Sequence, residues 1–112
     1  MSSHKGTPTF IMQRFTAVLL IPLAIWFLVS VVSHLGADHA AARAWAAQPV
    51  NGGLIALFAI IGAWHMRIGL AEIILDYIHS GLQKTLLALN WLIAVSIIAG
   101  VLWAVYNISF AG

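Results

Sequence analysis

The segment LIALFAIIGAWHMRIGLAEIILDYIH, residues 54–79, is the most informative part of the chain. It is long and apolar enough to cross a bilayer as a helix, since about 20 mostly apolar residues are needed. Yet it contains four ionisable side chains, namely His65, Arg67, Glu72 and Asp76. A charged group at the centre of a membrane helix costs roughly 2.5–3.5 kcal/mol on insertion scales, so each is a candidate functional residue.

The composition of the whole chain is that of a membrane protein. Of 112 residues, 62% are hydrophobic and only 7% are charged, whereas a soluble domain carries about 25% charged residues. These values exclude a soluble enzyme, a disordered chain and a nucleic-acid binder. The chain has no cysteine, so it holds no disulfide, thiolate nucleophile or iron–sulfur ligand. We predict an all-α integral membrane protein.

Three apolar segments predict three transmembrane helices within one transmembrane domain, residues 1–112. The predicted spans cover residues 15–33, 54–77 and 86–108. The polar residues 1–10 predict a tail on the membrane surface. The Ala-rich residues 38–48 predict a short interfacial helix with Trp45 at headgroup depth, ended by Pro49 and the Asn-Gly-Gly run after it. Residues 79–84 predict a tight polar connection.

Orientation follows from a few cationic residues. Lys5 and Arg14 precede the first span, and Lys84 lies in the connection on the same side of the membrane. The opposite side holds only Arg43. The positive-inside rule therefore predicts a cytoplasmic or matrix-side N-terminus and a C-terminus on the periplasmic or intermembrane side.

The ionisable residues of the second span form a stripe. At about 100° per residue, Glu72 and Asp76 lie within about 20° of His65, and His79 continues the line at about −40°. Arg67 points nearly the opposite way. The helix therefore presents one face to something other than lipid.

Two interpretations of His65 follow from its surroundings. Gly62 and Gly69 flank it and remove side chains where a flat group or another helix comes close. A neutral imidazole in a dry membrane groove is a reasonable axial ligand for haem iron. Alternatively, His65 hydrogen-bonds a neighbouring helix and the glycines only permit packing.

Two motifs resemble a known family. The pattern H-x3-G-x6-D-Y, present as His65, Gly69, Asp76 and Tyr77, resembles the signature of the hydrophobic membrane anchor subunit of succinate dehydrogenase. The segment QRFTA, residues 13–17, is similar to that family's Q-R-x-T-A motif. The three-span layout fits as well.

The resemblance implies a set of roles and partners. His65 would be one axial ligand of a b-type haem, with the second histidine supplied by a partner anchor (cytochrome b) subunit. Tyr77 would donate a hydrogen bond to ubiquinone, with Asp76 beside it, and Arg14 would lie near the haem propionates and the quinone pocket. The chain would join an iron–sulfur subunit and a flavoprotein subunit in a bacterial or mitochondrial inner membrane. There it would serve electron transfer from succinate to quinone, in the tricarboxylic acid cycle and the respiratory chain.

Other interpretations of these residues remain open. Asp76 and Tyr77 also suit an ordinary interfacial helix end, and Arg14 suits a snorkelling anchor. His34 and His39 have a spacing that suits zinc, but no third ligand is nearby.

Alternatives also remain for the stripe and for the whole chain. Arg67 would pair with a carboxylate of another subunit, a propionate or a lipid phosphate, and Glu72 would be protonated or serve a proton path. The chain itself would otherwise anchor a quinol:fumarate reductase, or be a small non-redox membrane interaction or transport protein.

Overall fold

The computed structural model describes residues 3–111 of the chain, with side chains from residue 8 onward. Its elements are α1 (Ser3–Ser33), α2 (His39–Ala47), α3 (Pro49–Tyr77), α4 (Leu82–Val105) and a π-helical turn (Tyr106–Phe110). Residues 3–111 contain no strand, so the all-α prediction is confirmed. Three helical segments are long and apolar enough to cross a membrane, which confirms the three predicted spans: Pro8–Ser33, Pro49–Tyr77 and Leu82–Phe110.

Each membrane helix begins earlier than predicted. α1 already includes Ser3, so residues 3–10, predicted as a tail, continue the first helix, and their position on the membrane surface stays a prediction. α3 begins at Pro49 and α4 at Leu82, where the predicted spans begin at residues 54 and 86. Apolar composition identifies the part of a helix that lies in lipid, whereas polar residues continue the same helix into the interface. The shorter connection therefore contains only residues 78–81, and not 79–84.

α2 ends at Ala47, before Pro49, as predicted, and Pro49 also begins the next helix. It occupies the first turn of α3, where its fixed φ suits a helix start and its missing N–H has no helical partner to lose. The glycines after it lie inside α3 and not in a loop. The predicted stop of α2 is therefore the start of the next helix.

The short helix predicted for residues 38–48 is confirmed as α2, His39–Ala47, and its interfacial location stays a prediction. Asp38 caps it, because its carboxylate accepts a hydrogen bond from the Ala41 backbone N–H at 2.8 Å. The ring of Trp45 stacks on Trp26 of α1 at a centroid distance of 5.8 Å. At its other end, α2 accepts a hydrogen bond of 2.6 Å at the Ala46 carbonyl from a serine hydroxyl of the π-helical turn. α2 therefore joins the end of α1 to the end of the chain.

α3 is the central helix, and α1 packs against one side of it. The rings of Phe27 and Phe58 stack at 5.1 Å, and Thr16 contacts His65 further along the same interface. Residue numbers rise along α1 as they fall along α3, so the two helices are antiparallel.

α4 packs antiparallel against another side of α3. Asn90 donates a hydrogen bond of 2.8 Å to the Arg67 carbonyl, and a side chain added at Gly52 would overlap the hydroxyl of Ser109. Small residues such as Ala94, which is 1% exposed, let the backbones approach closely, as membrane helix pairs commonly require.

The alternating helix directions place the start of α1 and the α3–α4 connection at one end of the bundle. α2 and the C-terminal turn lie at the other end. Lys84 therefore lies at the same end as the N-terminal residues, as the topological argument requires. Which end faces the cytoplasm or matrix stays a prediction.

Candidate functional site

The α1–α3 interface contains a hydrogen bond between Thr16 and His65. Thr16 Oγ1 lies 3.0 Å from His65 Nδ1, and Thr16 is only 5% exposed. The same hydroxyl oxygen lies 2.8 Å from the Met12 carbonyl oxygen and 3.1 Å from that of Gln13. His65 itself is half-buried. This is the bond to a neighbouring helix that the packing interpretation of His65 requires, and it occupies one ring nitrogen of two.

The two glycines beside His65 let α1 approach. A Cβ at Gly69 would lie 3.2 Å from Gln13 Nε2, and a Cβ at Gly62 would lie 3.9 Å from Leu20 Cδ2. Gly69 is therefore the tighter position, and a Cβ there would require the Gln13 side-chain amide to move by a few tenths of an ångström. Both glycines therefore face α1, and only Gly69 lies in a tight contact with it.

The polar stripe is shorter than predicted. Glu72 and Asp76 are exposed on α3, but the helix ends at Tyr77, and Ile78 is extended with φ −121° and ψ 110°. His79 therefore lies beyond the helix, and the prediction that it continues the stripe is wrong. The helical angle of about 100° per residue applies only while the backbone stays helical.

Asp76 and Tyr77 lie together at the end of α3, away from His65. Both side chains are exposed, and Tyr77 is 80% exposed. Twelve residues at about 1.5 Å each place Tyr77 about 18 Å along the helix from His65. The fold therefore separates the predicted quinone residues from the predicted haem ligand and leaves the tyrosine hydroxyl accessible to a partner.

Arg14 is also exposed and does not join His65. Its guanidinium lies over the Phe10 ring at 5.0 Å. Two residues, or about 200°, separate it from Thr16 around α1. Since Thr16 faces α3, Arg14 faces outward from this chain, toward lipid or a partner subunit.

Arg67 is held by aromatic rings. Its guanidinium lies 4.3 Å from the Trp64 ring centroid and 4.1 Å from that of Trp91, which is within the range of a favourable cation–π contact. Its Nε is buried and has no hydrogen-bond partner among the described residues. Arg67 and Glu72 both line a cavity of about 300 Å³ between α1 and α3. The sequence analysis did not predict that Arg67 lies between two tryptophan rings. Trp64 lies three residues before Arg67, so its contact could have been expected from the helical period, but nothing in the sequence relates Arg67 to Trp91 on α4.

His34 is engaged near α2. Its Nδ1 lies 2.7 Å from the Ser30 carbonyl oxygen, and its ring lies 5.3 Å from that of Trp45. In the part of the chain that the structure describes, no three histidine, cysteine, aspartate or glutamate side chains form a group suited to a metal ion. The zinc interpretation of His34 and His39 therefore gains no third ligand.

The described residues form three antiparallel spans, with α1 and α4 packed on the central α3, a histidine at the α1–α3 interface and polar side chains exposed at one end. This arrangement is that of an integral membrane subunit. The chain belongs to the family described as succinate dehydrogenase/fumarate reductase transmembrane subunit, which it matches over residues 1–105. The resemblance of the two motifs is thereby confirmed at the level of the family.

Named relatives agree with this assignment. The chain is 27% identical over 103 residues to the succinate dehydrogenase hydrophobic membrane anchor subunit of Paracoccus denitrificans, covering 92% of this chain and 80% of that protein. It is 30% identical over 96 residues to the succinate dehydrogenase membrane anchor subunit of Reclinomonas americana, covering 83% of this chain and 78% of that protein. No solved structure matches the chain. The chain is thus a multi-pass inner-membrane anchor subunit that associates with other subunits of its complex.

Proposed function

We propose that this chain, as one transmembrane anchor domain, serves a succinate:ubiquinone oxidoreductase, respiratory complex II. In this proposal it shares a b-type haem and the ubiquinone-reduction site with a second anchor subunit, below an iron–sulfur subunit and a flavoprotein subunit. The observation that carries the proposal is the geometry of the His65 imidazole. Its Nδ1 is hydrogen-bonded to Thr16, which leaves Nε2 as the ring nitrogen that would bind iron. In this proposal the iron–sulfur clusters lie in the iron–sulfur subunit, since this chain has no cysteine to ligate them, and the flavin lies in the flavoprotein subunit.

The residues present fit a haem at the edge of this chain. His65 is half-buried inside a membrane span, where a neutral imidazole is a suitable iron ligand. When bound, the haem supplies a one-electron redox centre. His65 would hold its iron through one nitrogen, while the outward-facing Arg14 would pair with a propionate by charge-assisted hydrogen bonds. The second axial ligand would come from the partner anchor.

Tyr77 and Asp76 would form this chain's part of the quinone site. They are exposed at the end of α3, the end that the cationic residues predict to face the cytoplasm or matrix. A quinone carbonyl gains negative charge on reduction, and a hydroxyl donor aimed at it stabilises that charge. Tyr77 would supply this donor, and Asp76 would lie in its vicinity.

The family description covers fumarate reductase as well, so an anchor of a quinol:fumarate reductase is the second candidate. The two differ in the direction of electron flow and in whether a haem is needed. We favour the haem-containing, succinate-oxidising form for two reasons. The position of His65 suits an axial ligand of haem iron, and both relatives are named as succinate dehydrogenase anchors.

To test this proposal, the complex is purified with His65 replaced by Ala. Loss of an axial ligand should leave the haem absent or high-spin in a reduced-minus-oxidised visible spectrum. Succinate oxidation with an artificial acceptor should persist, because that reaction takes place in another subunit. The matched control is His79→Ala, an exposed histidine outside α3, which should leave the spectrum unchanged. An unaltered low-spin spectrum in His65→Ala would refute the ligand assignment.

A further inference from the structure

We infer that Thr16 is a positioning residue that fixes the tautomer of His65, with the proton on Nδ1 and the lone pair on Nε2. The inference deepens the proposed function and rests on it, because it concerns how this chain presents its haem ligand. It is carried by the hydrogen-bond geometry around one buried hydroxyl group.

The hydrogens around Thr16 can be assigned by counting donors and acceptors. A threonine hydroxyl donates one hydrogen and accepts through two lone pairs, whereas a carbonyl oxygen only accepts. Thr16 Oγ1 lies 2.8 Å from the Met12 carbonyl oxygen and 3.1 Å from that of Gln13. The single hydroxyl hydrogen is therefore directed to the backbone, as is common for threonine inside a helix.

His65 must then be the donor to Thr16. The distance of 3.0 Å between Oγ1 and Nδ1 is that of a hydrogen bond, and the hydroxyl has no second hydrogen to give. The proton consequently lies on Nδ1 of the neutral ring, and Nε2 keeps its lone pair. Only this tautomer binds iron through Nε2 without first moving a proton.

The surroundings of Thr16 hold this arrangement in place. Thr16 is 5% exposed, so water does not compete for its hydroxyl. On α3, a Cβ at Gly69 would lie 3.2 Å from Gln13 Nε2, so the α1 side chains beside Thr16 pack closely against α3. The bond therefore depends on residues from both helices.

A fixed Nδ1–H···O bond has consequences at the iron. Such bonds orient a ligating imidazole and raise its basicity, and their loss typically weakens metal binding by 10- to 100-fold. A more basic ligand favours the ferric state, because the higher charge of ferric iron gains more from electron donation. Removing the Thr16 hydroxyl should therefore raise the haem midpoint potential and weaken haem retention by about 10- to 100-fold.

The experiment uses the purified complex with three variants. Thr16→Val removes the hydroxyl and keeps the branched shape, Thr16→Ser keeps the hydroxyl, and Thr85→Val makes the same change at an exposed position on α4. The measurements are the haem-to-flavin ratio, a potentiometric titration of the haem and the low-temperature EPR spectrum of the oxidised complex. We expect Thr16→Val to show a raised potential, shifted low-spin EPR features and reduced haem content. Thr16→Ser and Thr85→Val should match the wild type.

Each remaining outcome bears on the inference. If Thr16→Val keeps its haem with wild-type potential and EPR spectrum, Thr16 does not control the ligand. If Thr16→Val and Thr16→Ser both lose the haem, the methyl group and its packing are what matter, and the inference is overturned. Loss in Thr16→Val with retention in Thr16→Ser supports it.

Failure of the proposed function would look different. It would appear as a wild-type complex without haem, or as an unchanged spectrum in His65→Ala. Failure of the Thr16 inference alone would leave a haem that depends on His65 but is insensitive to the threonine hydroxyl.

Discussion

Replacing Tyr77 with Phe tests the link between this chain and quinone reduction. The substitution removes one oxygen and keeps the ring, so membrane depth and packing should change little. Tyr77 is 80% exposed at the end of α3, and no described residue uses its hydroxyl in a hydrogen bond. The effect of the substitution on the helix bundle itself should therefore be small, and the effect on turnover should report the quinone contact.

The magnitude follows from the charge that develops on the quinone carbonyl. Losing one donor to a developing oxyanion costs about 2.7–4 kcal/mol in enclosed sites. Tyr77 lies at an open helix end, where water reduces the value, and we expect about 1–3 kcal/mol. Since each 1.36 kcal/mol is a factor of ten in rate, succinate–quinone turnover should fall roughly 5- to 160-fold.

The assay compares two activities of the same purified complex. Succinate–quinone turnover should fall in Tyr77→Phe, while haem content and succinate oxidation with an artificial acceptor should remain. Tyr106→Phe is the matched control, because Tyr106 is also exposed, at 61%, but lies at the opposite end of the bundle. Equal quinone turnover in Tyr77→Phe and wild type would mean that Tyr77 is only an interfacial residue.

Two further predictions concern topology and stability. A reporter fused after Gly112 should be active on the periplasmic or intermembrane side, and one inserted at Ser80 should be active on the cytoplasmic or matrix side. The reverse pattern would overturn the predicted orientation and would move the proposed quinone site to the other face of the membrane. Asn90→Leu removes the buried hydrogen bond to the α3 backbone and should lower the free energy of unfolding in detergent by about 0.6–1.7 kcal/mol, as measured for hydrogen bonds between membrane helices. The Oδ1 of Asn90 is buried without a partner in the described residues, which offsets part of this contribution. An unchanged or higher free energy of unfolding would mean that Asn90 makes no net contribution to stability.

The number of membrane helices was predictable from the sequence because lipid allows few solutions. A backbone in hydrocarbon must satisfy its own hydrogen bonds, so long apolar segments become helices. The helix ends were not predictable in the same way. Pro49 was predicted to end α2, and the structure shows that it also starts α3, which the sequence pattern did not indicate.

The candidate site was predictable where its residues lie on one helix. The helical period related His65 to Gly69 and Asp76, but it failed at His79, because the chain leaves the helix after Tyr77. No comparable rule predicts which residues of different helices come into contact. The Thr16–His65 bond spans 49 residues, and the stacking of Arg67 on Trp91 joins α3 to α4, so neither follows from local spacing.

In the proposed function, this anchor helps to bind a haem through His65. The most direct measurement is the reduced-minus-oxidised visible spectrum of the purified wild-type complex, with subunit content verified on the same sample. We expect a low-spin b-type signal in proportion to the bound flavin. A complete complex that reduces quinone with succinate and has no haem absorption would contradict it.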